Sequence, residues 1–245
     1  MRLALVCVAV LAALCEPAFA AGNFSDWAAI VVAGDWHAHD GAPSEVFDNA
    51  RRDITNELVQ IGFSPANILQ FSVRPNRYPA ADLQASTAQN ISDGMWDLSN
   101  QADGGCLAYF TSHGSGSGIV LGQSDLSPQQ MSDIVDNACG TRPTVVIVSA
   151  CYSGIFVPAL QAPNRIVLTA AAADRASFGC GQSDKYTYFD ACAVQWLARA
   201  GDFRDFGKDV IACVDAREKK DKVGPPSDPQ FYIGAHNHGT FPSWK

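Results

Sequence analysis

Val145-Val146-Ile147-Val148-Ser149-Ala150-Cys151-Tyr152-Ser153-Gly154 is the stretch on which the reading of this chain turns, together with an earlier one, Tyr109-Phe110-Thr111-Ser112-His113-Gly114-Ser115. Each is a β-branched or aromatic run that passes through small residues to a reactive side chain, with glycine close behind. The two reactive residues lie 38 positions apart. In a parallel sheet, both would emerge at the carboxyl ends of neighbouring strands, the edge at which open α/β sheets bind ligands. A thiol beside an imidazole at that edge supplies a cysteine nucleophile and its proton-transfer partner.

Outward from these segments the pattern alternates between strands and helices. Residues 27–33, WAAIVVA, form a continuous apolar run ending at Gly34, suited to a strand buried on both faces. Between Ser44 and Ile61, apolar residues at Val46, Ala50, Ile54, Leu58 and Ile61 predict a helix, with Gly62 as its stop. Strands are expected over 67–73, 106–111, 144–149 and 165–170, with a short sixth over 231–233. Helices are expected over 87–102, 126–138 (Ser127 as cap before Pro128), 186–200 and 203–218. The segment 74–83, holding Pro75 and Pro79, reads as a loop, and 114–118 as a flexible Gly/Ser loop. Strands alternating with helices imply crossover connections and a mainly parallel sheet flanked by helices, in one domain.

Composition narrows the function. At 47% hydrophobic and 17% charged residues, the 245-residue chain can bury a sizeable core. A net charge of −8, with basic residues clustered only around Lys219, Lys220 and Lys222, argues against nucleic acid as a partner. Residues 1–20 carry the marks of a secretory signal: Arg2, an apolar run from Leu3 to Leu14, and Ala18-Phe19-Ala20 as a small-x-small cleavage pattern. No later stretch is long enough to span a bilayer. The expectation is a secreted or periplasmic protein, with 21–245 as a single domain. Export permits disulfides. Six cysteines follow the signal: Cys106, Cys139, Cys151, Cys180, Cys192 and Cys213. If Cys151 is a free nucleophile, five remain, so a second thiol is free or bridges chains.

The expected chemistry is attack by the Cys151 thiolate on a carbonyl, with His113 moving the proton. Gly114 and Gly154 clear side chains from the site, and backbone N–H groups beside them can hold an oxyanion. Taken alone, a cysteine at a strand end is more often a buried thiol; the paired strand-end context favours catalysis.

These residues resemble the legumain (asparaginyl endopeptidase) family of the caspase-like clan of cysteine peptidases. His113-Gly114 and Ala150-Cys151-Tyr152-Ser153-Gly154 resemble its two catalytic segments, and Val31-Val32-Ala33-Gly34 its first strand. Thr169-Ala170-Ala171, Arg175-Ala176-Ser177-Phe178-Gly179-Cys180 and the helix from Tyr188-Phe189-Asp190 to Trp196 resemble the segments that follow. The resemblance implies a caspase-like three-layer α/β fold and a cysteine endopeptidase acting on peptide or protein substrates without a cofactor or metal. It implies Cys151 as nucleophile, His113 as general acid/base, and the N–H groups of Gly114 and Cys151 as oxyanion donors. Asp190, Tyr152 and Asp35 fall where the family builds its substrate pocket and orients its histidine. The chain departs from the family at Asp35-Trp36, where legumains carry an asparagine, and at Tyr152, where they carry an acid; no arginine precedes Arg51 in the mature chain. An acid at Asp190 without that basic partner implies a first pocket for Lys, Arg or a neutral amide. The same acyl-enzyme can pass its acyl group to an amine, so transpeptidation is a close variant.

Two other classes remain open in the sequence. One is a non-catalytic binding protein that keeps the fold. The other is a zinc hydrolase using His37, His39, His236 and His238, two H-x-H pairs. Asn23-Phe24-Ser25 and Asn90-Ile91-Ser92 fit glycosylation acceptors. Finally, Cys106 begins the strand leading to His113, and Cys139 ends the helix feeding the strand leading to Cys151. If those strands are neighbours, the two cysteines meet at the end of the sheet opposite the site and can form a disulfide.

Overall fold

A computed structural model describes residues 24–236 and 241–245. The expected signal segment, Asn23 and His238 lie outside the described residues. The strands are β1 (Trp27–Ala33), β2 (Ile68–Ser72), β3 (Gln84–Ala85), β4 (Gly105–Thr111), β5 (Ile119–Leu121), β6 (Ser124–Leu126), β7 (Thr144–Ser149), β8 (Arg165–Thr169) and β9 (Gln230–Ile233). The helices are α1 (Val46–Gln60), α2 (Ala88–Ser99), α3 (Pro128–Cys139), α4 (Val157–Leu160), α5 (Tyr188–Trp196) and α6 (Phe203–Asp221). Among the described residues, seven strands join in one sheet in the order β3-β2-β1-β4-β7-β8-β9. All neighbours pair in parallel except β9, which runs antiparallel to β8.

The central strands β1, β4 and β7 are buried along their whole length, as their unbroken apolar runs require. Their side chains alternate between two cores. Ala29, Val31, Leu107, Tyr109, Val145 and Ile147 pack toward Ile54 and Leu58 of α1, Phe189 of α5 and Phe206 and Val210 of α6. Ile30, Val32, Ala108, Phe110, Val146 and Val148 pack toward Ile91 and Met95 of α2 and Met131 and Val135 of α3. This is a three-layer arrangement of helices, sheet and helices. Each fully buried Ile, Val, Leu or Phe contributes about 1.5–3 kcal/mol relative to exposure.

Side-chain caps begin the predicted helices α2, α3, α5 and α6, while α1 starts without one. Thr87 accepts from the Asn90 N–H at α2, and Ser127 and Gln130 form a reciprocal capping box at α3, with Pro128 in the first turn. Asp202 accepts from the N–H groups of Arg204 and Asp205 at α6. Neither β3, with only two residues, nor the β5–β6 hairpin is marked by the sequence pattern. The hairpin pairs Ile119 with Leu126 and turns at Gly122, whose φ of 63° suits glycine. The short strand expected over 231–233 is present as β9, and it pairs antiparallel at the sheet edge.

Cys106 and Cys139 form a disulfide with Cα atoms 6.0 Å apart, as the adjacency of β4 and β7 leads one to expect. Cys192 and Cys213 form a second that joins α5 to α6. Cys151 and Cys180 are free thiols, which resolves the parity argument in favour of a second free cysteine. No helix among the described residues is long and apolar enough to cross a membrane.

Candidate active site

The strand registers bring the site together. Ala33 pairs with Thr111, and Thr111 pairs with Ser149. His113 and Cys151 each lie two residues beyond that level row, on adjacent strands. The ladder continues past it: Gly34 N–H donates to the Thr111 carbonyl (2.9 Å) and Ser112 N–H to the Ser149 carbonyl (3.1 Å).

His113 is held from several directions. Its Nε2 lies 3.0 Å from the His37 carbonyl oxygen. A carbonyl only accepts, so Nε2 carries the hydrogen, and in the neutral ring Nδ1 is left as the proton acceptor. Phe47 of α1 meets the ring edge-on, with centroids 5.0 Å apart and planes at 82°. The His113 carbonyl accepts from Val120 N–H at 2.9 Å, so the β5–β6 hairpin braces its backbone. The next residue must be glycine: a Cβ on Gly114 would lie 2.3 Å from the Cys151 carbonyl oxygen and 2.9 Å from the Ala150 Cβ. A Cβ on Gly154 would be equally confined, 2.5 Å from the Ala173 nitrogen.

Asp35 does not face substrate space, contrary to its expected place in the pocket. One of its carboxylate oxygens accepts from the N–H groups of Trp36 (2.5 Å) and His37 (3.1 Å) and lies 2.7 Å from His37 Nδ1. It folds the 35–44 loop back on itself, and that loop delivers the carbonyl that holds His113. An acid thus bears on the orientation of the histidine through one intervening residue, His37.

Cys151 Sγ and the His113 ring line one cavity of about 450 Å³. The far wall is the segment 176–181 with Asp184, and His39 adds a further imidazole. Ser177 N–H donates to Cys151 Sγ at 3.3 Å, and its hydroxyl oxygen lies 3.5 Å from the sulfur. Cys180 sits in the same wall, where burial and then the neighbouring Cys151 push its thiol up to about 11. In the sequence, 176–180 is placed only by resemblance, and no motif marks Ser177, Cys180 or Asp184 for a part in the site. Their one local signal is a run of small residues following β8, a third strand ending at the same edge. A second cavity of about 390 Å³, between Arg175 and the α6 acids Asp215 and Glu218, holds neither the thiol nor the imidazole.

Two further expectations are corrected. Tyr152 does not wall this cavity. Its backbone adopts the left-handed conformation (φ 58°), its N–H donates to the Arg175 carbonyl at 2.7 Å, and its ring is turned out to 36% exposure. Asp190 does not line the cavity either, being fully buried beneath it. Its carboxylate accepts from the hydroxyls of Tyr109 and Thr111, both at 2.7 Å. Burial pushes the Asp190 carboxyl upward against the opposing pull of these hydroxyls. The four-histidine zinc site is not assembled. His37 and His39 stand at the carboxyl edge of the sheet. His236 follows the antiparallel β9 to the opposite end, where its N–H donates to the Pro163 carbonyl. The described residues contain no group of three or more side chains placed to hold a metal.

The sequence matches the peptidase C13 family over residues 78–211, more than half of the chain and a span holding both His113 and Cys151. No curated protein matches it in sequence. In structure it is similar to caspase-1 from Spodoptera frugiperda, with a TM-score of 0.61 at 13% identity over 95% of this chain and 94% of that one. It is similar to a protein from Geobacter sulfurreducens, again with a TM-score of 0.61, at 11% identity over 88% of this chain and 96% of the other. At such identities the likeness establishes the caspase-like fold and nothing finer.

Proposed function

This chain belongs to the peptidase C13 family, and from that premise we propose that it is an exported cysteine endopeptidase using Cys151 and His113. The observation that carries the reading is the pairing of a free thiol and a tautomer-fixed imidazole on adjacent strand ends, facing one cavity. In the proposed reaction His113 Nδ1 takes the thiol proton, and Cys151 Sγ attacks the carbonyl carbon of the scissile peptide. The N–H groups of Gly114 and Cys151 hold the resulting oxyanion; among the described residues neither has another acceptor. As the tetrahedral adduct collapses, imidazolium protonates the leaving amine, giving an acyl-enzyme. Water then releases the acid, or an amine takes the acyl group in transpeptidation.

The His37 carbonyl supports this chemistry by keeping Nε2 protonated through the cycle. Imidazolium donates there as well, so the ring need not turn between its base and acid roles. Export through residues 1–20, to the periplasm or outside the cell, accords with the two disulfides. The remaining residues, 21–245, are proposed as one peptidase domain.

The test is hydrolysis of a quenched-fluorescent peptide library by the wild type, Cys151→Ala and His113→Ala. Cys151→Ala should abolish turnover and His113→Ala should lower it by orders of magnitude, because covalent attack and proton transfer act as a unit. Both variants should retain wild-type circular dichroism. Peptidase activity undiminished in Cys151→Ala sinks the mechanism.

A further inference from the structure

Asp190 is a buried ionisable group that the proposed mechanism leaves without a task. Asp190 has no exposed surface and sits among the apolar side chains between the sheet and α5. Burying a carboxylate is costly unless its oxygens are satisfied, and these are satisfied in a particular direction. Oδ1 accepts from Tyr109 and Oδ2 from Thr111, residues i and i+2 on one face of β4. The backbone N–H of Asp190 donates to Thr187 Oγ1 at 3.0 Å, and Ser149 Oγ of β7 lies 3.4 Å from that same oxygen.

Thr111 stands two residues before His113, and Ser149 stands two residues before Cys151. The two are direct register partners. The Asp190 carboxylate at the start of α5 therefore holds the last paired residue of the His113 strand, and Thr187, which caps the Asp190 N–H, meets the last paired residue of the Cys151 strand. Beyond this row, a single backbone hydrogen bond, Ser112 to Ser149, links the two strand ends.

We infer that Asp190 is a positioning residue which, through the hydroxyls of Thr111 and Tyr109 and its link to β7, sets the spacing of the His113 imidazole and the Cys151 thiol. The inference rests on the dyad reading above and replaces the pocket role that the sequence suggests for this acid. Asp190 itself touches neither substrate nor the reacting atoms. Misplacing reacting groups by about 1 Å costs about 100-fold in rate, so losing the anchor should slow chemistry while leaving substrate binding intact.

The experiment measures the second-order rate of Cys151 alkylation by iodoacetamide at pH 7, read by peptide mapping, which requires no substrate. It also measures kcat and KM per active site titrated with a peptidyl acyloxymethyl ketone. The variants are His113→Ala, Asp190→Asn, Thr111→Val, Thr111→Ser and the Asp190→Asn/Thr111→Val pair. Thr111→Val keeps the shape and loses the hydroxyl; Thr111→Ser keeps the hydroxyl. Asp190→Asn and Thr111→Val should each slow alkylation about tenfold and lower kcat about 10–100-fold with KM within threefold. Thr111→Ser should stay near wild type, and the double variant should lose little more than Asp190→Asn alone, since both act through one contact. If His113→Ala leaves the alkylation rate of Cys151 unchanged, the dyad reading itself fails. If His113→Ala slows it while Thr111→Val and Asp190→Asn leave both alkylation and kcat per titrated site unchanged, the dyad stands and the anchor is wrong. A raised KM at constant kcat with altered side-chain preference also overturns the anchor and returns Asp190 to the pocket. Should Asp190→Asn fail to fold, the Thr111→Val and Thr111→Ser pair decides alone.

Discussion

Replacing both Cys106 and Cys139 by alanine should lower stability substantially and leave catalysis alone, because the two effects reside at opposite ends of the sheet. The bridge spans 33 positions of chain. On the loop-entropy relation, closing a loop of that length removes about 12.5 cal/mol/K from the unfolded chain, or about 3.7 kcal/mol at 25 °C. For a chain of this size, about 2–4 °C per kcal/mol places the expected fall in Tm at about 7–15 °C. Both side chains are buried, at 0% and 1% exposure, so alanine rather than serine is the right replacement; a serine hydroxyl there would lack a partner. Cys106 and His113 are separated by seven positions along one extended strand, about 23 Å at about 3.3 Å per residue, too far for the loss of the bridge to shift the dyad. Urea unfolding under non-reducing conditions, followed by circular dichroism, measures the loss. The m value should rise in the variant, because an unbridged unfolded chain exposes more surface. Equal stability of variant and wild type would refute the bridge as a constraint on the unfolded chain, and a fall in kcat at unchanged fold would refute the separation of the two ends.

Gly114→Ala should cost about 1–3 kcal/mol by overpacking and abolish measurable turnover, since its Cβ meets the carbonyl of Cys151 itself; an active, unshifted variant would contradict the close approach of the two strand ends. Asp184, with its Oδ2 2.8 Å from Gly181 N–H, is the acid in the cavity wall. The expected tolerance for Lys, Arg or a neutral amide before the scissile bond therefore passes from Asp190 to Asp184. Asp184→Asn should weaken cleavage after Lys and Arg relative to Asn, and coincident profiles of the two proteins would reject this. Burial holds the Asp190 carboxyl above the ordinary carboxylate value, so the native chain keeps that proton to higher pH than the unfolded chain does. The stability this group contributes is full below the ordinary value and is lost as pH rises through the raised one. The wild-type advantage over Asp190→Asn in unfolding free energy should accordingly shrink with rising pH in that window; an advantage that grows contradicts the direction of the shift.

Much of the fold is written locally. Runs such as WAAIVVA and TVVIVS cannot be satisfied on a surface and must be covered on both faces, which already implies a parallel sheet between helices. Helix spacing and the Ser127-Pro128 start are equally local signals, and so is the glycine after His113. The adjacency of His113 and Cys151, and with it the Cys106–Cys139 bridge, was legible because each follows a strand and a parallel sheet presents all its carboxyl ends on one edge. What no local pattern carries is direction at the level of a side chain. Asp190 reads as an acid near a helix start, and only the packing of α5 beneath β4 turns it inward to Tyr109 and Thr111. Tyr152 follows the thiol in sequence, but its left-handed backbone turns the ring away from the cavity. The carbonyl that fixes the His113 tautomer comes from residue 37, 76 positions earlier, because β1 and β4 are neighbours in the sheet and the Asp35 turn points that peptide at the ring. Strand and helix follow from interactions within a few residues. The cavity wall, the anchor and the tautomer follow from contacts across the chain, which exist only once the sheet has assembled.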